Sequence, residues 1–296
     1  MSRRILYFGS PASLSTKDEQ LKIVIHETGE IHSVPISDLA AIELDSMQIS
    51  ITTYCLAKLA ESGVTVSVSG ANHCPAGIML PVQGNERQTE VMIKQVAVKA
   101  PMKKQLWKQI VGAKIYNQAR MLEINGYDSI SLMKKLDKVQ SGDTTNQEGS
   151  AAVIYWKTIF GNKDFRRDPD GENPNNLLNY GYAVIRAIAA RAIVSAGLNP
   201  ALGLFHRGPR NPFCLADDLM EPYRPYADSI ALMLYRDDPE ELILNKEQKS
   251  HLLKLPFQEV TIAGEQKTIL NAMQDTVASL VNSYFGGSKR LALPIL

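Results

Sequence analysis

Hydrophobic spacing changes character near residue 85, and that change constrains the fold more than any other feature of the chain. Before it, apolar residues come in short runs rich in β-branched and aromatic side chains: residues 4–8 (RILYF), 21–26 (LKIVIH), 30–34 (EIHSV), 42–44 and 64–68 (VTVSV). Such runs predict strands. Thr28-Gly29, between the second and third, reads as a hairpin turn. One stretch breaks the pattern. Residues 50–62 carry Tyr54, Leu56, Ala57 and Leu59 and stop at Gly63, predicting a single short helix. Residues 70–83 hold Gly70, Pro75, Gly77 and Pro81 and predict a loop-rich exit.

After residue 85 the apolar period lengthens to three or four. Trp107, Ile110, Val111, Ile115, Ala119 and Leu122 define one face of a long helix over 91–122, and Pro101 predicts a break within it. Further helices are expected over 129–139, 148–160, 215–236 (kinked or split by Pro222 and Pro225), 246–255 and 269–284. Between 161 and 176 lies a charged loop. The helix after it is expected to use Asn173 as N-cap and Pro174 as its first residue, with Gly197 just past its end. The expectation is an α+β protein: a β-rich domain over 1–85 and a larger helical domain over 86–296, with no internal repeat.

Composition narrows the function classes. With 45% hydrophobic and 21% charged residues, the chain has the balance of a globular protein and not of a disordered one. A net charge of +1 means that any polyanion site must be a local patch. Cys55, Cys74 and Cys214 form no C-x-x-C pair, which argues against a zinc ribbon and for buried thiols in a reducing compartment. The first residues carry charge with no long apolar stretch after them, unlike a signal peptide. Residues 177–198 are the most apolar run, but Asn179, Arg186, Arg191 and Ser195 interrupt it, so a buried helix is expected and not a membrane span. A cytoplasmic protein without membrane contact is the expectation. No G-x-G-x-x-G or P-loop stands in a suitable context, which disfavours a nucleotide-cofactor enzyme.

Several polar residues sit where helix rules do not demand them, and each has two readings. Asp217, Asp218 and Glu221 can complement a helix dipole. Alternatively, Asp218 and Glu221, three apart on one face among Phe213, Leu215, Leu219 and Met220, can build a site near a core. His206, in LGLFHRGPR, can be a hydrogen-bonded structural histidine or a ligand, with Arg207 and Arg210 suited to phosphate. Glu148 completes a capping box with Thr145, or points out of the helix end into a shared site. Two carboxylates and an imidazole suit Mg²⁺ or Mn²⁺. Between Val91 and Met121 stand seven basic residues (Lys94, Lys99, Lys103, Lys104, Lys108, Lys114 and Arg120) and no acid. That is either a solvated face or a polyanion-binding one. Lys163, Arg166, Arg167, Lys289 and Arg290 extend it.

At residues 176–225 (NLLNYGYAVIRAIAARAIVSAGLNPALGLFHRGPRNPFCLADDLMEPYRP) the chain strongly resembles the core of the universal CRISPR adaptation integrase, the CRISPR-associated endonuclease of the first family. The Glu148 helix start and FRRDPDGENPNN (165–176) resemble it too, and residues 73–88 and the closing LALPIL resemble its type II branch. The resemblance implies an N-terminal β-sandwich, used for dimerisation and partner contact, and an all-α catalytic domain. It implies a metal triad at Glu148, His206 and Asp218, with Glu221 and Arg224 supporting it. Asp217 is one helical step away, about 100° round the axis, and is expected to face elsewhere. It also implies homodimers, two of which flank a dimer of a small ferredoxin-like partner protein. Double-stranded DNA with 3′-OH ends would be inserted into CRISPR repeat DNA, or cleaved when water is the nucleophile. A nuclease or resolvase on branched DNA, and a non-catalytic DNA-binding scaffold, remain as alternatives.

Overall fold

The structure is a computed structural model and describes residues 4–70, 75–80, 82, 85–161, 165–168, 171–239 and 243–296. Cys74, Lys163 and part of the 73–88 motif lie outside the described residues. The chain divides into two compact units, Met1–Glu86 and Arg87–Leu296.

The first unit contains β1 (Arg4–Phe8), β2 (Ala12–Lys17), β3 (Gln20–Ile25), β4 (Ile31–Pro35), β5 (Leu39–Leu44), β6 (Ser50–Ile51), α1 (Thr53–Glu61), β7 (Thr65–Ser69) and β8 (Pro75–Met79). These strands form two four-stranded sheets, ordered β1-β5-β7-β8 and β4-β3-β2-β6. Alternation decides which side chains go in. Leu14, Leu21 and Ile23 from one sheet and Leu39, Ile42 and Val66 from the other share a core with Cys55 and Leu59 of α1. Thr52 caps α1 by accepting from the Cys55 N–H at 3.2 Å. Strands β2 and β3 are joined through Asp18 and Glu19, both at positive φ (51° and 56°), the backbone of a two-residue hairpin turn.

The second unit contains α2 (Gln88–Ala97), α3 (Ala100–Ile124), α4 (Ile130–Leu136), α5 (Gln147–Ile159), α6 (Asn175–Ser195), α7 (Cys214–Met220), α8 (Arg224–Asp237), α9 (Lys246–Leu252), β9 (Glu259–Ile262), β10 (Glu265–Thr268), α10 (Ile269–Tyr284) and β11 (Pro294–Ile295). The break expected near Pro101 falls at Val98-Lys99, so that Pro101 sits in the first turn of α3, where its missing N–H costs nothing. A single 3₁₀ turn, Glu221–Tyr223, separates α7 from α8 at Pro222. The apolar helix α6 has 14 of its 21 residues buried, packed by α7, α8, α9 and α10.

Three expectations need correction. The exit expected to be loop-rich over 70–83 contains strand β8, which pairs antiparallel with β7 despite its Gly and Pro residues. The second unit is not all-α: β9 and β10 form a hairpin through Ala263 and Gly264, and β11 pairs with the other edge of β9. Val260 and Ile262 alternate inward, a strand period too short to register among long helices. Helix α6 begins at Asn175 with Pro174 in the N-cap position, so Asn173 does not cap it. The reason lies in Asn175. Its side-chain oxygen accepts from the Asp168 N–H (2.9 Å) and from Arg167 (2.8 Å), tying the preceding segment to the helix start.

Candidate active site

Helix α7 is short and wholly buried, and Asp218 at its centre is 0% exposed. A buried carboxylate needs donors. The loop before α7 supplies them: the N–H groups of Leu204 (2.5 Å) and Phe205 (3.1 Å) reach Oδ2, and that of His206 (3.1 Å) reaches Oδ1. Oδ1 also lies 2.7 Å from the His206 Nδ1. The wrap is tight enough to require glycine at 203, where a Cβ would stand 2.4 Å from the His206 carbonyl oxygen and 2.8 Å from Asp218 Oδ2. The hydrogen bond to Asp218 raises the His206 pKa above the usual histidine value, against the effect of partial burial. The imidazole is 37% exposed, and with Nδ1 held by Asp218 its other nitrogen, Nε2, is the one available to a ligand.

Trp107 of α3 backs this loop. Its indole stacks on the Phe205 ring at 4.4 Å and meets the His206 ring edge-on at 5.8 Å. Asp217, the next residue in α7, faces away from the pair. It accepts from Arg186 Nε (2.8 Å) and Asn211 Nδ2 (2.6 Å), which closes the turn that carries Arg207 and Arg210.

Glu148 stands in the first turn of α5 but does not form the capping box with Thr145. Asn146 caps the helix by accepting from the Gly149 N–H, and Asp143 accepts from the N–H groups of Gln147 and Glu148. Glu148 is thereby released for another partner, the Lys114 ammonium, 2.6 Å from its Oε1. Lys114 is the exception in the basic helix: it projects inward and is only 9% exposed. It also lies 2.6 Å from Glu221 Oε2, and Glu221 Oε1 lies 3.0 Å from Arg224. Burial opposes the charge on Lys114, but Glu221 and Glu148 together hold its pKa above the ordinary lysine value. Burial likewise opposes ionised Glu221, and Arg224 and Lys114 outweigh it. The Lys114–Glu221 approach is off the hydrogen-bonding axis, so the buried Glu221 Oε2 has an ion-pair partner but no aligned donor.

The structure therefore brings His206 and Asp218 into contact and sets Glu148 on Lys114. Among the described residues no three His, Cys, Asp or Glu side chains converge closely enough to chelate one ion. Without a cation, three such anionic and basic donors have no reason to crowd together, and Lys114 supplies the neutralising charge. By kind, the donors fit a divalent ion: carboxylate oxygens and a free imidazole nitrogen.

Around the site the surface is basic. Lys94, Lys99, Lys104 and Lys108 are exposed, and a cleft of about 530 Å³ is lined by Lys94, Lys99, Met102, Gln105, Tyr284 and Lys289. Sequence reasoning missed a further buried acid. Asp228 of α8 accepts from the hydroxyls of Tyr182 (2.5 Å) and Tyr155 (3.0 Å), and burial pushes its pKa up to about 6 despite those bonds. Tyrosines on the apolar faces of α5 and α6 were its only signal.

An acid–histidine pair thus stands on the helical unit, which follows a two-sheet unit in the chain. The sequence model described as CRISPR associated protein Cas1 matches residues 6–254. The chain belongs to that family. It is 37% identical to the CRISPR-associated endonuclease Cas1 of Neisseria meningitidis serogroup C (strain 8013) over 99% of this chain and 96% of the relative. Two solved structures share the fold. A casposase bound to integration product matches with a TM-score of 0.81 at 22% identity, over 98% of this chain and 92% of that one. A Cas6-RT-Cas1–Cas2 complex matches with 0.76 at 19% identity, over 97% of this chain and 35% of that one.

Proposed function

We propose that this protein is a divalent-metal-dependent DNA endonuclease and integrase of the CRISPR adaptation module, with Glu148, His206 and Asp218 as the metal-holding residues. The observation that carries the reading is the Asp218–His206 contact, which fixes the ring by Nδ1 at 2.7 Å and leaves Nε2 to a ligand. Mg²⁺ or Mn²⁺ would polarise the scissile phosphate and lower the pKa of the attacking hydroxyl. The chain's own residues do the rest. Asp218 orients His206, Arg224 and Lys114 hold the buried Glu221 in its charged form, Lys114 also pairs with Glu148, and Arg207 and Arg210 offer exposed cations to phosphate.

In the joining reaction the 3′-oxygen of a captured DNA duplex bonds to a phosphorus of CRISPR repeat DNA. The P–O bond to the repeat's own 3′-oxygen breaks, and that oxygen leaves as a hydroxyl after taking a proton. With water as nucleophile the same site cleaves DNA. The name of the Neisseria relative (an endonuclease), the casposase bound to its integration product and the complex containing Cas2 all favour this reading. We further propose a homodimer, two copies of which flank a dimer of the small ferredoxin-like partner, with the unit 1–86 providing dimer and partner contacts.

The test is strand transfer of a short 3′-OH duplex into a repeat-bearing supercoiled plasmid, with Mn²⁺ or Mg²⁺, with and without the partner. Metal-dependent joined product that vanishes in His206→Ala is the expected result. Cleavage without joining favours a nuclease on branched DNA, and binding without either reaction leaves a scaffold. Binding should weaken steeply with salt, because phosphate contacts release counterions.

A further inference from the structure

Phe205 is exposed where folding would have hidden it. Its neighbours in the loop, Gly203 and Leu204, are buried, and its own N–H is fixed on Asp218 Oδ2 at 3.1 Å, yet the residue is 47% exposed. One face of the ring lies flat on Trp107, with centroids 4.4 Å apart and an interplanar angle of 0°. Trp107 is itself 1% exposed, one of the largest fully buried side chains of the protein. The other face of Phe205 therefore looks outward and is held in one orientation from behind. It stands beside the ring of His206, 5.6 Å away and nearly perpendicular. Exposed Arg207 and Arg210 follow in the chain.

We propose that the outer face of Phe205 is a stacking platform for an unpaired nucleobase of the DNA strand processed beside His206. This rests on the DNA-processing reading above. The occupant follows from the surroundings. A flat apolar face within one nucleotide's reach of a phosphate-handling pair, flanked by arginines, matches a base attached to its phosphate. Aromatic platforms hold single-stranded bases in this way, tolerant of sequence because every base offers a π-face. Backing by Trp107 means that no ordering cost is left for the moment of binding. Phe205 would act as a positioning residue: it places the strand, and His206 and Asp218 do the chemistry.

The competing explanation is that Phe205 merely shields Trp107 from water, and two variants separate the two. Phe205→Leu keeps the shield and removes the π-face; Phe205→Trp keeps both. The probe is a forked DNA duplex carrying 2-aminopurine at each unpaired position next to the junction, titrated into the full-length protein without divalent metal. Wild type should quench 2-aminopurine at one position. Phe205→Leu should lose that quenching and bind the fork about tenfold more weakly, and Phe205→Trp should restore both. In metal-loaded strand transfer the Leu variant should raise KM with kcat little changed, the signature of lost binding. Quenching and affinity in Phe205→Leu equal to wild type, or no quenching by wild type at any position, would overturn the platform. If wild type quenches through Phe205 but neither cleaves nor joins DNA, the platform stands and the enzymatic reading fails.

Discussion

Asp218 and Asp228 lie ten residues apart in consecutive helices, at 0% and 1% exposure, and their surroundings differ in kind. Asp218 is held by three backbone N–H groups and an imidazole that reaches the surface. Asp228 is held by two tyrosine hydroxyls with no opening to water. Backbone amides bind a carboxylate without depending on any particular side chain, and they leave its neighbour His206 turned outward. Tyrosine hydroxyls tie α5, α6 and α8 together and end there. If the proposed function holds, the difference separates an acid placed for work from an acid placed for cohesion, and each half of that division can be attacked.

The largest expected effect is on activity. Asp218→Ala should lower DNA joining and cleavage by at least about a thousandfold, while folded Asp228→Ala keeps a rate within about threefold of wild type. Strand-transfer assays alongside circular dichroism decide this, and a folded but inactive Asp228→Ala would erase the division. Next comes Lys114→Met, which leaves Glu148 and Glu221 without their shared cation. A loss of about 3–5 kcal/mol in metal-free protein is expected by urea titration. Added Mn²⁺ should recover more stability in the variant than in wild type, because a divalent ion can replace the missing charge. Equal recovery in both would argue that Lys114 and the metal do not share a place.

Asp228 carries a pH signature. Its folded pKa, about 6, lies above the unfolded value near 3.8, so the folded state binds the proton more tightly. Stability attributable to this group is therefore greatest below about pH 4 and is lost as pH rises through about 6, a difference on the order of 3 kcal/mol. Melting wild type beside Asp228→Asn from pH 4 to 7.5 should show wild type gaining on the variant as pH falls. Parallel curves would mean that the tyrosines already hold the carboxylate ionised. The smallest effect belongs to Arg186→Ala. Arg186 is 44% exposed, and its pair with Asp217 should contribute no more than about 0.5–1 kcal/mol in a double-mutant cycle with Asn211 intact.

What could be read beforehand depended on how far each feature departed from its local background. The switch from strands to helices was plain, as were the start of α10 and the split at Pro222. Strand β2 was not, because Ser13 and Ser15 alternate with only Ala12 and Leu14, and its turn uses Asp18 and Glu19 in place of Asn-Gly. Strand β8 fell in a stretch dominated by Gly and Pro. In the site, Asp218 and His206 stood out through a long resemblance and not through their own chemistry. Lys114 was hidden among like charges, although its position could have exposed it. It follows Trp107, Ile110 and Val111 at helical spacing on the apolar face, the one place in that helix where a lysine needs acidic partners. Asp228 had no such marker, since tyrosines on apolar faces are ordinary core residues.

Helix α6 has a further consequence, in the making of the protein. It is the one described helix long and apolar enough to cross a bilayer, and its cover, α7 to α10, is encoded downstream. During synthesis α6 leaves the ribosome bare, a segment that insertion machinery could accept. Arg186 and Arg191 weigh against that fate, since an arginine near the centre of an inserting helix costs about 2.5–3.5 kcal/mol. Once the chain is complete, Arg186 turns to Asp217 and Arg191 is buried. The two charges that make α6 a poor membrane span thus end in different places in the finished protein, Arg186 at the surface on Asp217 and Arg191 in the interior.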